Sequence, residues 1–439
     1  MTLPTTSDNL ADIGTAQVDI TPDYPIRLNG YGGRRTESEG VVQRIWAKAL
    51  AINDAVLVTV DNCGLPDELT EAVAARLKDK AGIPRERFVV GFSHTHSAPC
   101  LTNAAATLFS TDIPPAHQAT IDRYTDQLAD WLEEVGMAAL ADRQPGRLGW
   151  TEGTVRFAKN RRTEGGPVDH SLPLLRVTDA EGKLRALWTS YACHCTTLGG
   201  DFNHICGDWA GYTQTAIQRN HPEAIALVTI GCGADANPFP RTGLSFPRTG
   251  LEYAEQHGEE IACEVERLLK DDLKPISSQL VGRFERIQLP FDTLPTLDEW
   301  KAKAEQEGGV GYHAQKQLAR LARGEVLRTE LSYPVQVWTF GDDLAVVFLA
   351  GEVVVDYALR LKRELDRNRL WVDGYANAFP GYIPSKRVLE EGGYEGGGAM
   401  VYFDQPTRFA PQVEELVISA VHRLVPQAFN AKQSAQIRR

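Results

Sequence analysis

The sequence has no hydrophobic run long enough to cross a bilayer. The longest, Leu344–Gly351, stops at Glu352, far short of the roughly 18 residues a spanning helix needs. It has no extended run of Lys or Arg, and 46 basic against 58 acidic side chains leave a formal charge of −12, which argues against nucleic acid and anionic membrane surfaces as partners. The amino terminus, MTLPTTSDNLADIG, lacks the basic start and apolar stretch of a secretory signal. No Cys-x-x-Cys pair occurs. The seven cysteines (Cys63, Cys100, Cys193, Cys195, Cys206, Cys232, Cys263) are odd in number and suit reduced, mostly buried thiols, so a cytoplasmic setting is expected; a secreted protein after loss of a leader would read the same. What is present is ordinary globular usage, 43% apolar and 24% charged over 439 residues, which excludes disorder and fibre.

Periodicity predicts an α/β class of layered β-sheets flanked by helices. Strands are expected at Val56–Val60 and Phe88–Phe92, with helices near Glu68–Lys80 and Pro115–Ala141. A hairpin is expected from Leu174–Val177 and Leu184–Tyr191 around the turn at Asp179–Gly182, then a helix after Asp208, a strand at Ile225–Ile230 and a helix near Tyr253–Lys270. The remainder predicts strands at Gln279–Leu289, Val335–Phe340 and Leu344–Leu349, and helices near Leu297–Arg323, Val353–Leu365 and Pro411–Leu424. No composition break resembles a linker, so one extended catalytic domain over 1–439 is expected, with short terminal extensions at 1–12 and 428–439. The hexapeptide FPRTGL occurs at Phe239–Leu244 and again at Phe246–Leu251, which marks a duplicated loop or a lid over a pocket.

Chemistry-bearing residues gather after predicted strands. Ser93-His94-Thr95-His96-Ser97 follows Phe88–Phe92, and an HxH pair at strand spacing sends both imidazoles to one face, as metal ligands or as a surface loop. His194 follows another apolar strand. Strand alternation sends its neighbours Cys193 and Cys195 to the opposite face, where they read as packing residues. Ile225–Ile230 runs into Gly231-Cys-Gly-Ala-Asp-Ala-Asn-Pro238, and Leu344–Leu349 into Glu352 at a helix start, where a lone Glu could simply favour the helix dipole. Ligands of open α/β sheets bind beyond the carboxyl ends of strands, so these four endings form one candidate site. The Tyr- and Gly-rich stretch Phe379–Glu395 reads as an irregular surface connection or as a loop bringing phenols into a pocket, and Asn160-Arg161-Arg162 as a solvated cluster or a substrate clamp.

Together these segments resemble the neutral/alkaline non-lysosomal ceramidase family. VDITP (Val18–Pro22), GYGGR (Gly30–Arg34), SHTHSAP (Ser93–Pro99), NRR (Asn160–Arg162), ACH…DWAGY (Ala192–Tyr212), GADANP (Gly233–Pro238), GE (Gly351–Glu352) and GYIPS…EGGYEG (Gly381–Gly396) follow in order along nearly the whole chain. The resemblance implies one Zn2+ held by His94, His194, Glu352 and Tyr382, with His96, Arg161 and Tyr394 at the substrate and the oxyanion. Two imidazoles and a carboxylate make a usual hydrolytic zinc shell, in which a bound water reaches a pKa of about 7. The family's GDVSPN hexapeptide is GADANP here, so Ala236 stands where a serine has been considered catalytic. The family's β-sandwich domain after the catalytic part is not in this sequence, from which small N-acyl compounds are expected over bilayer lipid.

The expected function is therefore zinc-dependent cleavage of an amide in an N-acyl small molecule or lipid by activated water. The alternatives are a zinc esterase or deacetylase on a polar acyl compound, a binding protein that has lost activity, and a two-metal phosphatase-like hydrolase using Asp61, Asp208 and Asp235. Acceptors such as Asp208 or Asp235 are expected behind the zinc-bound imidazoles.

Overall fold

The computed structural model describes residues 9–241 and 248–431. Its first half carries β1 (Ala11–Asp19), β2 (Trp46–Ile52), β3 (Ala55–Val60), α1 (Asp67–Ala81), β4 (Phe88–Phe92), α2 (Pro115–Ala141), β5 (Gln144–Thr154), β6 (Ala158–Asn160), β7 (Ser171–Asp179), β8 (Leu184–Tyr191), α3 (Asp208–Asn220), β9 (Ile225–Ile230) and β10 (Ala236–Pro238). Then come α4 (Gly250–Leu269), β11 (Lys274–Pro275), β12 (Leu280–Pro290), α5 (Leu297–Ala304), α6 (Gly308–Ala322), β13 (Glu330–Phe340), β14 (Leu344–Leu349), β15 (Glu352–Val353), α7 (Val355–Glu364), β16 (Leu370–Asp373), β17 (Tyr382–Ile383), α8 (Lys386–Glu391) and α9 (Val413–Leu424).

The larger sheet has the order β4-β3-β2-β1-β5-β7-β8-β9, with β11 added beside β5, and the smaller has the order β12-β13-β14-β16. Side-chain alternation explains why they stack. In β14, Leu344, Val346 and Phe348 face the larger sheet, in a core shared with Leu57, Trp188 and Leu227, while Ala345, Val347 and Leu349 face α7 and α9. The larger sheet does the same: Val56, Val58 and Val60 of β3 face the helices, and Ala55 and Leu57 face the smaller sheet. The result is four layers, helix–sheet–sheet–helix, with both sheets buried on two faces, which is why β3, β4, β9 and β14 read as continuous apolar runs.

Helix α2 packs the stripe Ile121, Tyr124, Leu128, Leu132, Val135 and Ala139 at three- and four-residue spacing against the larger sheet. The approach is close, since a Cβ on Gly14 of β1 would lie 1.9 Å from Ala139 O. The two sheets are stitched where β16 ends. Gly374 donates to Ile230 O at 3.0 Å, Phe92 N donates to Tyr375 O at 3.1 Å, and Asn377 N donates to Val90 O at 2.7 Å, so the chain after β16 joins the ends of β4 and β9.

Two expected elements differ. The helix expected near Leu297–Arg323 is two helices, because Gly308 lies at φ +75°, outside the right-handed region, and the chain turns there into a hairpin with its own small core of Trp300, Ala314 and Leu327. The helix expected near Val353–Leu365 starts at Val355, which leaves Glu352 on the short strand β15 rather than at a helix start. Ordered packing also reaches into the segments expected as extensions: Ala11 opens β1, and Phe429 is buried with its carbonyl accepting from Asp366 N at 2.7 Å. The centre of the FPRTGL duplication, residues 242–247, lies outside the described residues, and with it the expectation of a lid.

Candidate metal centre

The chain leaves β4 through Ser93, whose N–H donates to Val60 O at 3.0 Å, and turns at His94 with φ +56°. That left-handed conformation is uncommon outside glycine and clusters at functional sites. It also corrects the HxH expectation: His94 and His96 meet, Nε2 to Nε2 at 3.1 Å, because the backbone turns and not because both lie on one face of a strand. His94 Nδ1 lies 2.6 Å from Cys63 O. A carbonyl can only accept, so Nδ1 carries the proton and Nε2 a lone pair. The ring is walled by Tyr375 and Phe379, with centroids at 4.7 and 5.7 Å.

His194 follows β8 and is held by its backbone on both sides, its N–H donating to Ala236 O at 3.0 Å and its carbonyl accepting from Trp209 Nε1 at 2.9 Å. Its Nδ1 lies 2.9 Å from Gly233 O, which again places the proton on Nδ1 and the lone pair on Nε2. Burial first, then the charge of Arg161, pushes this imidazole down to about 4, so it is neutral at pH 7.

Glu352 is brought in by pairing of β15 with β17, in which Glu352 and Tyr382 are direct partners. Gly351 makes that turn possible: it has φ +73°, and a Cβ there would lie 2.6 Å from Gly381 O. Glu352 Oε2 lies 3.3 Å from His94 Nε2 and 3.0 Å from His194 Nε2, and Tyr382 Oη lies 3.3 Å from His194 Nε2.

These atoms fit a cation. Two imine nitrogens and a carboxylate oxygen, all buried, lie within 4.8 Å of one another, and both Nδ1 protons are committed to backbone carbonyls. Three acceptors without a donor among them are a poor arrangement unless positive charge sits between them. A second grouping, Cys63 with His94 and His96, is weaker: His94 Nδ1 already faces Cys63 O, and burial raises the Cys63 thiol well above its ordinary value.

The remaining expected residues surround this centre. His96 is flanked by Tyr31, edge-on at 4.9 Å, and crowded by Gly30, whose Cβ would lie 2.3 Å from the His96 ring. Arg161 is no solvated residue: its Nη2 donates to Tyr382 Oη at 2.9 Å and its Nε to Glu395 Oε1 at 2.7 Å. Tyr382 is buried, and Tyr394 stands half in solvent, 46% exposed, with its ring 5.3 Å from that of Tyr382. Neither aspartate expected behind the histidines supports a ring there among the described residues. Asp208 instead accepts from Leu198 N at 3.0 Å and Trp209 N at 2.6 Å, and Asp235 accepts from Val355 N at 2.8 Å, because the loop before α3 and the first turn of α7 expose N–H groups that need acceptors. Asp61 is likewise engaged, by Trp46 N and Gln214, so these three aspartates form no second metal shell. Cys193 and Cys195 lie in the apolar core, as alternation implied, and Cys263 is the exposed thiol of the seven.

Sequence reasoning missed Arg34 and Glu395. Buried Arg34 donates to the carbonyls of Asn29, His96 and Phe202, tying three loops around the centre; an Arg after two glycines carries no signal that its partners will be carbonyls from distant loops.

Comparison with known proteins decides the lineage. The family model for neutral/alkaline non-lysosomal ceramidase, N-terminal, matches residues 12–228. The neutral ceramidase of Pseudomonas aeruginosa is 26% identical over 481 positions, covering 91% of this chain and 71% of that protein. This chain belongs to the neutral/alkaline ceramidase family. Neutral ceramidase B of Dictyostelium discoideum is 25% identical over 228 positions, covering 47% of this chain and 31% of that protein. The crystal structure of the P. aeruginosa neutral ceramidase shares the fold, with a TM-score of 0.73 at 18% identity over 96% of this chain and 76% of that one. Membership of this ceramidase family places the chain among hydrolases.

Proposed function

We propose that this family member is a zinc-dependent amidohydrolase that cleaves the amide of an N-acyl compound of the ceramide type. The observation that carries the reading is the convergence of His94 Nε2, His194 Nε2 and Glu352 Oε2, three acceptors with no proton among them, beside the half-exposed phenol of Tyr394. His94, His194, Glu352 and Tyr382 would hold the ion. When bound, zinc supplies Lewis acidity, activating water as a nucleophile near neutral pH and polarising an acyl oxygen.

The chain's own groups supply the rest. The carbonyls of Cys63 and Gly233 fix both imidazoles in the tautomer that leaves Nε2 free. Tyr394 offers a hydroxyl at the accessible edge of the centre, where it can donate to an oxygen that gains negative charge as the amide carbon becomes tetrahedral. His96, kept neutral by burial, carries one ring N–H beside the centre, its Nε2 3.1 Å from His94 Nε2. Arg161 stays charged, with its fork spread between Glu395, Tyr382 and, at 3.4 Å, Asn237, which leaves two N–H groups to orient the substrate. No side-chain nucleophile is required, which is consistent with Ala236, buried in the core, at the position of the family serine.

The test is turnover of a short-chain N-acylsphingosine and of its matched ester, before and after chelation. The proposal expects amide cleavage that chelation abolishes and zinc restores. Ester cleavage with no amide turnover would replace it with the esterase reading, and amide cleavage unaffected by metal removal would refute the zinc role.

A further inference from the structure

We infer that Glu395 is a positioning residue, a buried latch that sets both the Arg161 fork and the Tyr394 phenol against the His94–His194–Glu352 cluster. The inference rests on the proposed hydrolase reading and adds to it a residue with no role there beyond pairing with Arg161.

The segment that carries Tyr394 closes on itself through backbone bonds such as Gly398 N to Gly393 O at 3.0 Å and Ala399 N to Tyr394 O at 2.9 Å, but it has few side chains to hold it against the centre. Five of the seven residues from Gly392 to Gly398 are glycine, and Gly392, Gly393 and Gly397 have φ of +69°, +76° and +148°. Such a stretch loses more conformational freedom on ordering than any other and offers few side chains to hold it. Of its two side chains, Tyr394 is half exposed and Glu395 is buried. Glu395 is therefore the side-chain anchor of the loop, and it stands next in sequence to the phenol that the mechanism needs in place.

What it anchors to is the centre itself. Arg161 Nε donates to Glu395 Oε1 at 2.7 Å and Arg162 Nη1 donates to Oε2 at 2.6 Å, so one carboxylate bridges two neighbouring guanidiniums. Arg161 continues from this bond to Tyr382 Oη, while Arg162 Nη2 donates to Gly392 O at 2.9 Å and pins the start of the same loop. Charge-assisted bonds of this length in a buried setting are the strong ones. Without the carboxylate, two adjacent, largely buried cations would face each other with only Glu391, on Arg162, left to balance them, and the Arg161 fork would lose the partner that holds it in line with Tyr382. The bonds run from loop to arginine to phenol, so Glu395 acts through Arg161 and Tyr394 and touches neither the cluster nor a substrate.

The test compares wild type with Glu395→Gln, Glu395→Asp and Arg162→Gln, each as the purified full chain. Three quantities are read: kcat and KM on a short-chain N-acylsphingosine, zinc per chain, and hydrogen exchange of amides 391–398. Glu395→Gln is expected to lower kcat at least about tenfold with KM within about threefold, to retain wild-type zinc content, and to speed exchange across 391–398. Glu395→Asp, which keeps the charge, is expected to fall between the two. Arg162→Gln, which leaves the Arg161–Glu395 pair, should speed exchange with a smaller loss of kcat, and it decides the matter if Glu395→Gln does not fold. A kcat for Glu395→Gln within about threefold of wild type, or exchange unchanged in both variants, would overturn the inference. A protein that hydrolyses no N-acyl amide defeats the functional reading alone, because the exchange arm still decides whether Glu395 holds the loop.

Discussion

Each histidine of the candidate centre is oriented by one backbone carbonyl, Cys63 O for His94 and Gly233 O for His194. Carbonyls cannot be protonated in the working range, so the tautomer is fixed by the fold and not by a titrating acid. Removing either imidazole would take a ligand from the proposed shell: His94→Ala and His194→Ala are each expected to weaken zinc binding by more than the roughly 10–100-fold typical of supporting residues, as measured by competition with a chromophoric chelator. Ala236 belongs to this scale too. Its carbonyl accepts from His194 N, and its methyl packs in the core, so its side chain has no chemical task. Ala236→Ser is expected to leave kcat/KM within about tenfold of wild type; a hundredfold gain, about 2.7 kcal/mol in barrier, would mean a missing hydroxyl had limited the reaction. Three residues of the centre were legible in the sequence because His94, His194 and Glu352 follow strand ends, whereas Tyr382 was reached through the family resemblance. Their supports were not, because a carbonyl that orients a ring leaves no trace in residue identity.

Elements with a strong internal pattern were legible with the bounds the structure shows: β4, α2, β9 and β14 are long or uniformly apolar. β15 and β17, two residues each, carry no periodicity at all, yet their pairing is what places Glu352 beside Tyr382. The HxH turn was legible as a site for the wrong geometric reason, since φ at His94 depends on contacts made after folding. Gly351 is where such a short element is most sensitive. Gly351→Ala imposes a left-handed alanine 2.6 Å from Gly381 O, and is expected to lower stability by about 1–3 kcal/mol and to weaken zinc binding, read by thermal unfolding and metal titration. Unchanged zinc affinity would mean that the β15–β17 pairing does not set Glu352.

Across the whole molecule, the joint between the sheets holds a buried acid outside the metal centre. Asp373, at the end of β16, accepts from Ser190 of β8 at 2.5 Å and from Trp371 Nε1 at 2.8 Å, and burial, partly offset by these bonds, pushes its carboxyl up to about 7. A folded value raised above the ordinary Asp value of about 3.9 means the native state holds a proton that the unfolded chain has released between those pH values. The Asp373 contribution to stability should therefore fall as pH rises from about 4 to about 7 and level off above, and Asp373→Asn should remove that part of the slope in denaturant midpoints measured across the range. A slope identical in both proteins would show that Asp373 is ionised in the fold. The four-layer packing brings the ends of β4, β8 and β14 together, and the central claim is that one metal ion at their meeting point makes the protein a hydrolase. The most direct measurement is titration of chelator-stripped protein with zinc while following cleavage of a short-chain N-acyl amide, for wild type and Glu352→Gln in parallel. Activity rising linearly to a plateau at one zinc per chain in wild type, and staying flat in Glu352→Gln, is the predicted result; full activity in the stripped protein, or an unchanged titration in Glu352→Gln, would contradict it.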